Sequence, residues 1–404
     1  MKVVICGAGI AGLTLAHRLD TLGWDVVLLE KASGPRTQGY MIDFFGIGYD
    51  AAEAMGVLPR LTELGYHIEE MSFLDETGRR RAGAQVAGFV RAMGGRMLSI
   101  MRPDLELALR ELLSATVDLR FATSLRHVDA DPDGVRVTLS DGSTLEADLL
   151  VGADGIHSTV RRLVFGEEPN FLRYLGFHTA AFTFDDPLVL DEVHDRFCLT
   201  DTTGRQMGFY ALRDGTLATY TVHRTPDPTL PDDAQAAVRR AYGTLGWIAP
   251  RALAHCPPAD QVYYDQVAQI EMPQWSQGRV ALVGDACQAV SLLAGQGAAL
   301  GIAGSYVLAD QLTTADSIEA GLRRYEQLMR PVVEDKQQTA RKAARWFCPE
   351  AAWQLRVRRV AMKLSNVPGI SRLVTATVTG KSATTIKELH AAGGRATRSR
   401  PTIS

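Results

Sequence analysis

Apolar residues enter this chain as an unbroken run, Val3-Val4-Ile5-Cys6, rather than in alternation with polar ones. A strand covered on both faces, as in a parallel sheet, has that pattern. Gly7-Ala8-Gly9-Ile10-Ala11-Gly12 breaks the run, and helical spacing then holds from residue 10 to about 22. A second apolar run, Asp25-Val26-Val27-Leu28-Leu29, ends in Glu30 and gives way to a polar loop reaching Gln38. Residues 47–55 pattern as a helix stopped by Gly56. Met71-Ser72-Phe73-Leu74 with the turn Asp75-Glu76-Thr77-Gly78 predicts a strand leaving the first unit. Leu105, Leu109 and Leu112 share one face of a helix opened by Pro103 and Asp104. Between 117 and 151, the turns Asp133-Gly134 and Asp141-Gly142 bracket the alternating Val135-Arg136-Val137-Thr138-Leu139, as in an antiparallel meander.

Over 177–270 the pattern changes. Residues 177–184, 196–200, 206–212 and 217–223 are strand-like, with Arg213-Asp214-Gly215-Thr216 as a hairpin turn and a helix near 233–245. This predicts a mostly antiparallel sheet, with Phe197, Phe209, Tyr210, Tyr220 and His223 as candidates for a ligand pocket beside their commoner role as core. The first style then returns: Gly278-Arg279-Val280-Ala281-Leu282-Val283 is a buried-strand pattern, followed by a helix from about 298 to 312. A long helix over 317–347 should break or kink at Pro331. Trp353, Leu355, Val357, Val360, Ala361 and Leu364 follow helical spacing among Arg356, Arg358, Arg359 and Lys363. Such a basic amphipathic helix over 353–365 should pack its apolar stripe on its own domain; peripheral membrane contact is the less favoured reading.

Length and composition narrow the class. At 404 residues the chain exceeds one ordinary core. A formal net charge of −3 gives no general pull toward nucleic acid. No apolar run is long enough to span a bilayer, and Met1-Lys2-Val3 enters a strand at once, leaving no room for a signal peptide. Cys6, Cys198, Cys256, Cys287 and Cys348 are scattered, which fits free thiols in the cytoplasm and no metal site.

Chemistry concentrates in three glycine-rich stretches. Gly7, Gly9 and Gly12 have the G-x-G-x-x-G spacing: a tight turn, a close approach of backbone to pyrophosphate, and a helix packed on a strand. Glu30, ending the next strand, is placed for ribose hydroxyls, which implies a dinucleotide but leaves its kind open. Asp148-Leu149-Leu150-Val151 runs into Gly152-Ala153-Asp154-Gly155, with Ser158 able to cap the following helix. Gly284-Asp285 precedes Gly295-Gln296-Gly297-Ala298-Ala299, a second glycine-rich loop that opens a helix. Arg36, and Arg102 just ahead of a helix, are the cationic candidates beside them.

In this order the three stretches resemble the group A FAD-dependent aromatic hydroxylases, the family of p-hydroxybenzoate hydroxylase and the tetracycline-inactivating monooxygenases. The likeness covers residues 1 to about 330. It implies an α/β fold: a Rossmann-like FAD-binding domain (1–72, 97–175, 271–330) interleaved with a mostly antiparallel substrate domain (73–96, 176–270). C-terminal helices (331–380) and a mobile tail (381–404) would complete the chain. It assigns Gly7, Gly9, Ile10, Ala11, Gly12, Glu30, Lys31, Arg36 and Arg102 to FAD, with Glu30 on the adenosine ribose, Asp154 near the pyrophosphate and linked to NAD(P)H handling, and Asp285 holding the ribityl chain or the pyrophosphate. Gly295, Gln296, Gly297, Ala298 and Ala299 would lie beside the isoalloxazine ring. By the same resemblance NAD(P)H reduces FAD, dioxygen adds at flavin C4a, and the hydroperoxide delivers one oxygen to an aromatic or polycyclic small molecule. Hydroxylation, epoxidation and Baeyer–Villiger insertion all remain open, and no side chain stands out as a catalytic base. Gln288, Ser291-Leu292 and Ala299 depart from the family's His, Pro-Pro and Asn. A flavin dehydrogenase or reductase and a non-catalytic flavin-binding protein are the alternatives; a halogenase is disfavoured because W-x-W-x-I-P is absent.

Overall fold

A computed structural model describes residues 1–36, 39–365 and 386. The apolar runs form one six-stranded sheet in the order Ser276–Gln277, Val280–Leu282, Leu149–Gly152, Lys2–Cys6, Asp25–Leu29 and Asp118–Arg120. All neighbours are parallel except the short Ser276–Gln277 edge. Val3, Leu149 and Val280 have no exposed surface, as unbroken hydrophobic strands between two layers require. Residues far apart in sequence thus sit side by side: Ile5 pairs with Leu28 and Val151, and Val151 with Ala281. The turns after three strands, at Gly7, Gly152 and Gly284, consequently emerge at one end of the sheet.

The second sheet has seven strands, in the order Tyr263–Ile270, Leu172–Phe184, Leu217–Arg224, Arg205–Ala211, Arg196–Thr200, Glu70–Leu74 and Arg80–Gln85. It is antiparallel apart from the Arg196–Thr200 and Glu70–Leu74 pair. The boundary drawn at 72/73 falls inside one of its strands, and Leu172–Phe184 begins before residue 176, bending at Gly176 where φ is +86°. One face packs on the helices Pro187–Val193, Ala234–Tyr242 and Ala249–Ala254 around Phe182, Met207 and Phe209. The other, with Phe73, Phe177 and Tyr220, packs toward Leu293 and Cys348.

Two C-terminal expectations need adjustment. The helix Ile318–Phe347 continues through Pro331, so of a break or a kink there the break does not occur. The helix Ala352–Ser365 does pack on the second sheet, but not by its apolar stripe. Arg358 (2.8 Å) and Arg359 (2.5 Å) both pair with Asp201, whose side chain is wholly buried, and the Arg358 guanidinium lies 4.5 Å over the Phe73 ring. A carboxylate buried this deeply is costly without paired charge. The helix therefore turns its arginines inward, burying Leu355 and leaving Trp353, Val357 and Val360 outside. Of the remaining forecasts, the Leu364 side chain, the stretch 366–380 and the tail 381–404 (Ile386 excepted) lie outside the described residues.

Candidate active site

One elongated cavity follows the carboxyl ends of the first sheet and continues to the Tyr263–Ile270 strand of the second. Its first section is the glycine turn. Gly7 has φ +102°, and a Cβ there would come 2.5 Å from the Ala153 carbonyl oxygen; a Cβ on Gly12 would lie 1.8 Å from the Gly7 carbonyl oxygen. Those two glycines are required by backbone packing against backbone. Gly9 differs, since a Cβ would project toward Glu106 and Arg102 at 3.8 and 3.9 Å, into the cavity itself. Glu30 holds this turn by accepting hydrogen bonds from the Ala8 and Ala32 N–H groups, each at 2.9 Å.

Asp154 lines the cavity, but its carboxylate is engaged by its own chain. It accepts from Ser158 Oγ (2.5 Å) and from the N–H groups of Thr159 (2.7 Å) and Val160 (3.1 Å), and Ser158 in turn caps Arg161 N at 2.9 Å. Burial raises the Asp154 pKa against those hydrogen bonds. Its main effect is to fix the loop and the start of the helix Thr159–Val164. The first turn of that helix carries Arg161, wholly buried, donating to the Ala286 carbonyl at 2.8 Å and so tying this stretch to the Asp285 loop.

Asp285 is exposed to the cavity although it lies deep within the molecule. Burial raises its pKa, Arg102 lowers it, and Asp265 adds to the rise. Gly284 takes φ +62°, and a Cβ there would meet Ala11 Cβ at 2.6 Å, bringing the Asp285 loop close against the first helix. Arg102 pairs with Glu106 at 3.1 Å. Burial works to lower the Arg102 pKa, and Glu106, Tyr40, Tyr263 and Asp285 outweigh it. Beyond Arg102, Tyr40 and Tyr263 face each other with ring centroids 5.7 Å apart. Burial pushes the Tyr40 phenol up to about 12. Ile42, Val267 and Leu292 supply apolar wall here.

The far end is the stretch 291–297. Ser291 adopts φ +78° with its hydroxyl buried and unpartnered, a conformation that L-residues adopt at a cost. Gln288 faces inward: its amide donates to the Tyr325 hydroxyl at 2.8 Å, and that hydroxyl donates to the Leu282 carbonyl at 3.1 Å. Ala299 is buried against Gly48, where a Cβ would come within 2.4 Å of Ala299 Cα, so it does not line the cavity; neither do Gly12 and Gln296. Every other residue assigned to the cofactor from the sequence lines it: Gly7, Gly9, Ile10, Ala11, Glu30, Lys31, Arg36, Arg102, Asp154, Asp285, Gly295, Gly297 and Ala298.

The five substrate candidates are placed elsewhere. Phe209 is in the core on the helix-covered face, against Trp247 at 5.6 Å. His223 meets the Tyr242 hydroxyl at 3.0 Å, and Tyr210 accepts a hydrogen bond from Met41 N at 2.7 Å. Phe197 and Tyr220 pack on each other on the face toward Leu293, outside the cavity lining. The second sheet instead contributes Thr179, Tyr263, Asp265, Gln266, Val267 and Ala268. Sequence reasoning missed these; the one signal, for all but Thr179, was their position on the strand leading back toward the first sheet.

The cavity fits a long, anionic, partly aromatic ligand. Helices Ile10–Thr21 and Gly297–Thr314 both begin on its wall, and neither start has a side-chain cap. Two sets of unpaired N–H groups and two positive dipole ends therefore face it. Ser291 Oγ is a further buried polar atom there without a hydrogen-bond partner. Among the described residues no group of three or more His, Cys, Asp or Glu side chains is placed to hold a metal.

The family model described as FAD binding domain matches residues 1–340. An uncharacterized protein of Mycobacterium tuberculosis is 34% identical over 345 residues, covering 83% of this chain and 91% of the relative. A flavin-dependent monooxygenase from an unknown prokaryotic organism is 31% identical over 346 residues, covering 84% and 87%. Among solved structures, the tetracycline destructase Tet(55) superposes with a TM-score of 0.77 at 26% identity, covering 90% of this chain and 96% of that one.

Proposed function

The chain belongs to the FAD binding domain family and is an FAD-dependent, NAD(P)H-consuming monooxygenase, and on that premise we propose that it inserts oxygen into an aromatic or polycyclic small molecule held against Tyr40 and Tyr263. The observation carrying this reading is the continuity of the cavity. It begins at an uncapped helix and Glu30, passes Arg102 and Asp285, and ends between the Gly295-Gln296-Gly297 loop and a wall of aromatic and aliphatic side chains. The relative that acts on tetracycline by name supports a polycyclic substrate.

Bound FAD supplies the redox and oxygen chemistry, accepting hydride from NAD(P)H and activating dioxygen. The chain's own residues bind, orient and shield. Gly9 and the first helix would take the pyrophosphate, Glu30 the adenosine ribose, and Asp285 the ribityl hydroxyls. The uncapped start of Gly297–Thr314 would counter negative charge on the reduced ring. Ile42, Val267 and Leu292 would keep water from the reacting face. Cytoplasmic residence is part of the proposal, supported by five buried cysteines, all free. No helix among the described residues is long and apolar enough to cross a membrane.

The test is anaerobic reduction of the bound flavin by NADPH or NADH across a panel of aromatic and polycyclic ligands, followed by oxygen and product mass analysis. A ligand that accelerates reduction and gains one oxygen atom is the expected result. If no nicotinamide reduces the flavin with any ligand, or if products only lose two hydrogens, the proposal is wrong.

A further inference from the structure

Charge is distributed very unevenly along this chain. Residues 336–404 contain fourteen Lys and Arg against two acids, Glu350 and Glu388, a net +12; residues 1–335 therefore carry −15 to give the overall −3. Within the basic part, the rotation forced by Asp201 leaves an apolar face outside. Trp353 is 59% exposed, Val360 56%, Trp346 46% and Val357 44%. These account for four of the seven large hydrophobic residues exposed in the described chain. The two indoles meet edge to face at 6.4 Å, and Arg356, Val357, Val360 and Ala361 border a shallow depression beside them. Lys342 and Arg356 are exposed on the same two helices. Isolated exposed apolar side chains need no explanation, but a contiguous patch with cationic neighbours does.

We propose that this face of the helices Ile318–Phe347 and Ala352–Ser365 docks on an anionic lipid surface. Charge decides between occupants. A second copy would bring Lys342 and Arg356 against their own like charges across a two-fold axis. The segment 366–404 is itself basic, with six Lys and Arg against Glu388, so it is no better complement. An anionic headgroup layer matches the cations, the interface below it suits exposed Trp, and the valines reach acyl chains. Basic residues near such a surface add attraction that falls off within a Debye length, so docking should weaken with salt. Nucleic acid would satisfy the charge but leave Val357 and Val360 without a role.

The experiment uses the FAD-loaded full chain. Sedimentation with phosphatidylcholine vesicles is compared with vesicles that also contain phosphatidylglycerol, at low and high salt, beside a labelled DNA duplex. Binding to the anionic vesicles, at least about tenfold stronger than to neutral ones and lost at high salt, is expected. The double variant Trp346→Ser, Trp353→Ser should lower that partition by at least about tenfold while keeping its flavin absorbance and melting temperature. Val360→Ser should lower it in the same direction. Absence of binding to anionic vesicles at low salt overturns the proposal. So does duplex binding that survives the Trp substitutions while vesicle binding is absent, or a dimer that the same substitutions dissociate. A fall in melting temperature in both Trp and Val variants without lipid binding would assign the face to the chain's own packing, which also overturns it.

Discussion

At the scale of single residues, Asp285 is the side chain on which cofactor retention should depend most. Its carboxylate opens to the cavity opposite Arg102, and a Cβ on Gly297 would lie only 3.6 Å from its Oδ1. Removing a charged hydrogen-bonding group of this kind costs enough to weaken binding about tenfold or more. Asp285→Ala should therefore purify largely colourless, and Asp285→Asn, which keeps an acceptor, should retain more flavin; visible absorbance per chain is the measurement. Full yellow occupancy in the alanine variant would remove Asp285 from the site. The place of Gly9, Glu30, Arg102 and Asp285 on the cavity wall was legible because spacing from a glycine turn or a helix start constrains it. Tyr263 and Asp265 were not, since a lone residue in a strand carries no such constraint. Phe209 and Tyr210 show a different limit. Neighbours in a strand point to opposite faces, and the sequence cannot say which face a helix layer will cover. Phe209 went to the helices and Tyr210 to Met41, and neither lines the cavity.

At the scale of elements, the outcome followed how much each pattern depended on distant partners. The parallel strands and the glycine-opened helices were predictable because unbroken apolar runs and glycine turns are local signals. The Ala352–Ser365 helix was predictable as a helix but not in its rotation, because the partner that sets it, Asp201, lies about 150 residues earlier in the sequence, in a segment with no visible connection to it. Breaking a buried ion pair from one side costs roughly 3–5 kcal/mol, since it strands the remaining charges. Asp201→Ala should lose on the order of 3 kcal/mol of unfolding free energy in denaturant titration, and limited proteolysis should then cut near residues 349–351, between the two C-terminal helices. Arg359, the more exposed of the two arginines, should cost less when replaced, because solvent can compensate. An Asp201→Ala variant as stable as the parent would show that the helix is held by apolar contacts instead.

At the scale of the whole molecule, two histidines titrate in opposite directions and together shape stability against pH. His157 joins the two sheets: it meets Glu168 at 2.9 Å and Asp265, on the second sheet, at 3.1 Å, and the hydrogen bond to Asp265 leads the causes that raise its pKa to about 9. Its contribution is complete below the unfolded value near 6.5 and is lost as pH rises through about 9. His223 lies between His178 and the Tyr242 hydroxyl, and burial lowers it to about 4. Its contribution is complete above about 6.5 and declines as pH falls toward 4, worth up to about 3 kcal/mol, with half-buried His17 and buried His178 acting in the same direction. The sum of these contributions peaks near pH 6.5, falling on the acid side as buried imidazoles are forced to charge and on the alkaline side as the bridge between the sheets discharges. His157→Ala should flatten only the alkaline limb of a denaturant-derived stability profile. The effect should be modest because the side chain is partly exposed and its ion pairs are screened by solvent. His223→Phe should flatten only the acid limb. The two limbs should also differ in what they expose: loss of the His157 bridge frees Asp265 beside the cavity, so flavin dissociation should accelerate above pH 9 in the parent and be fast at all pH values in His157→Ala. If the variant releases flavin no faster than the parent at pH 7, the bridge fastens the two sheets without closing the cofactor cavity.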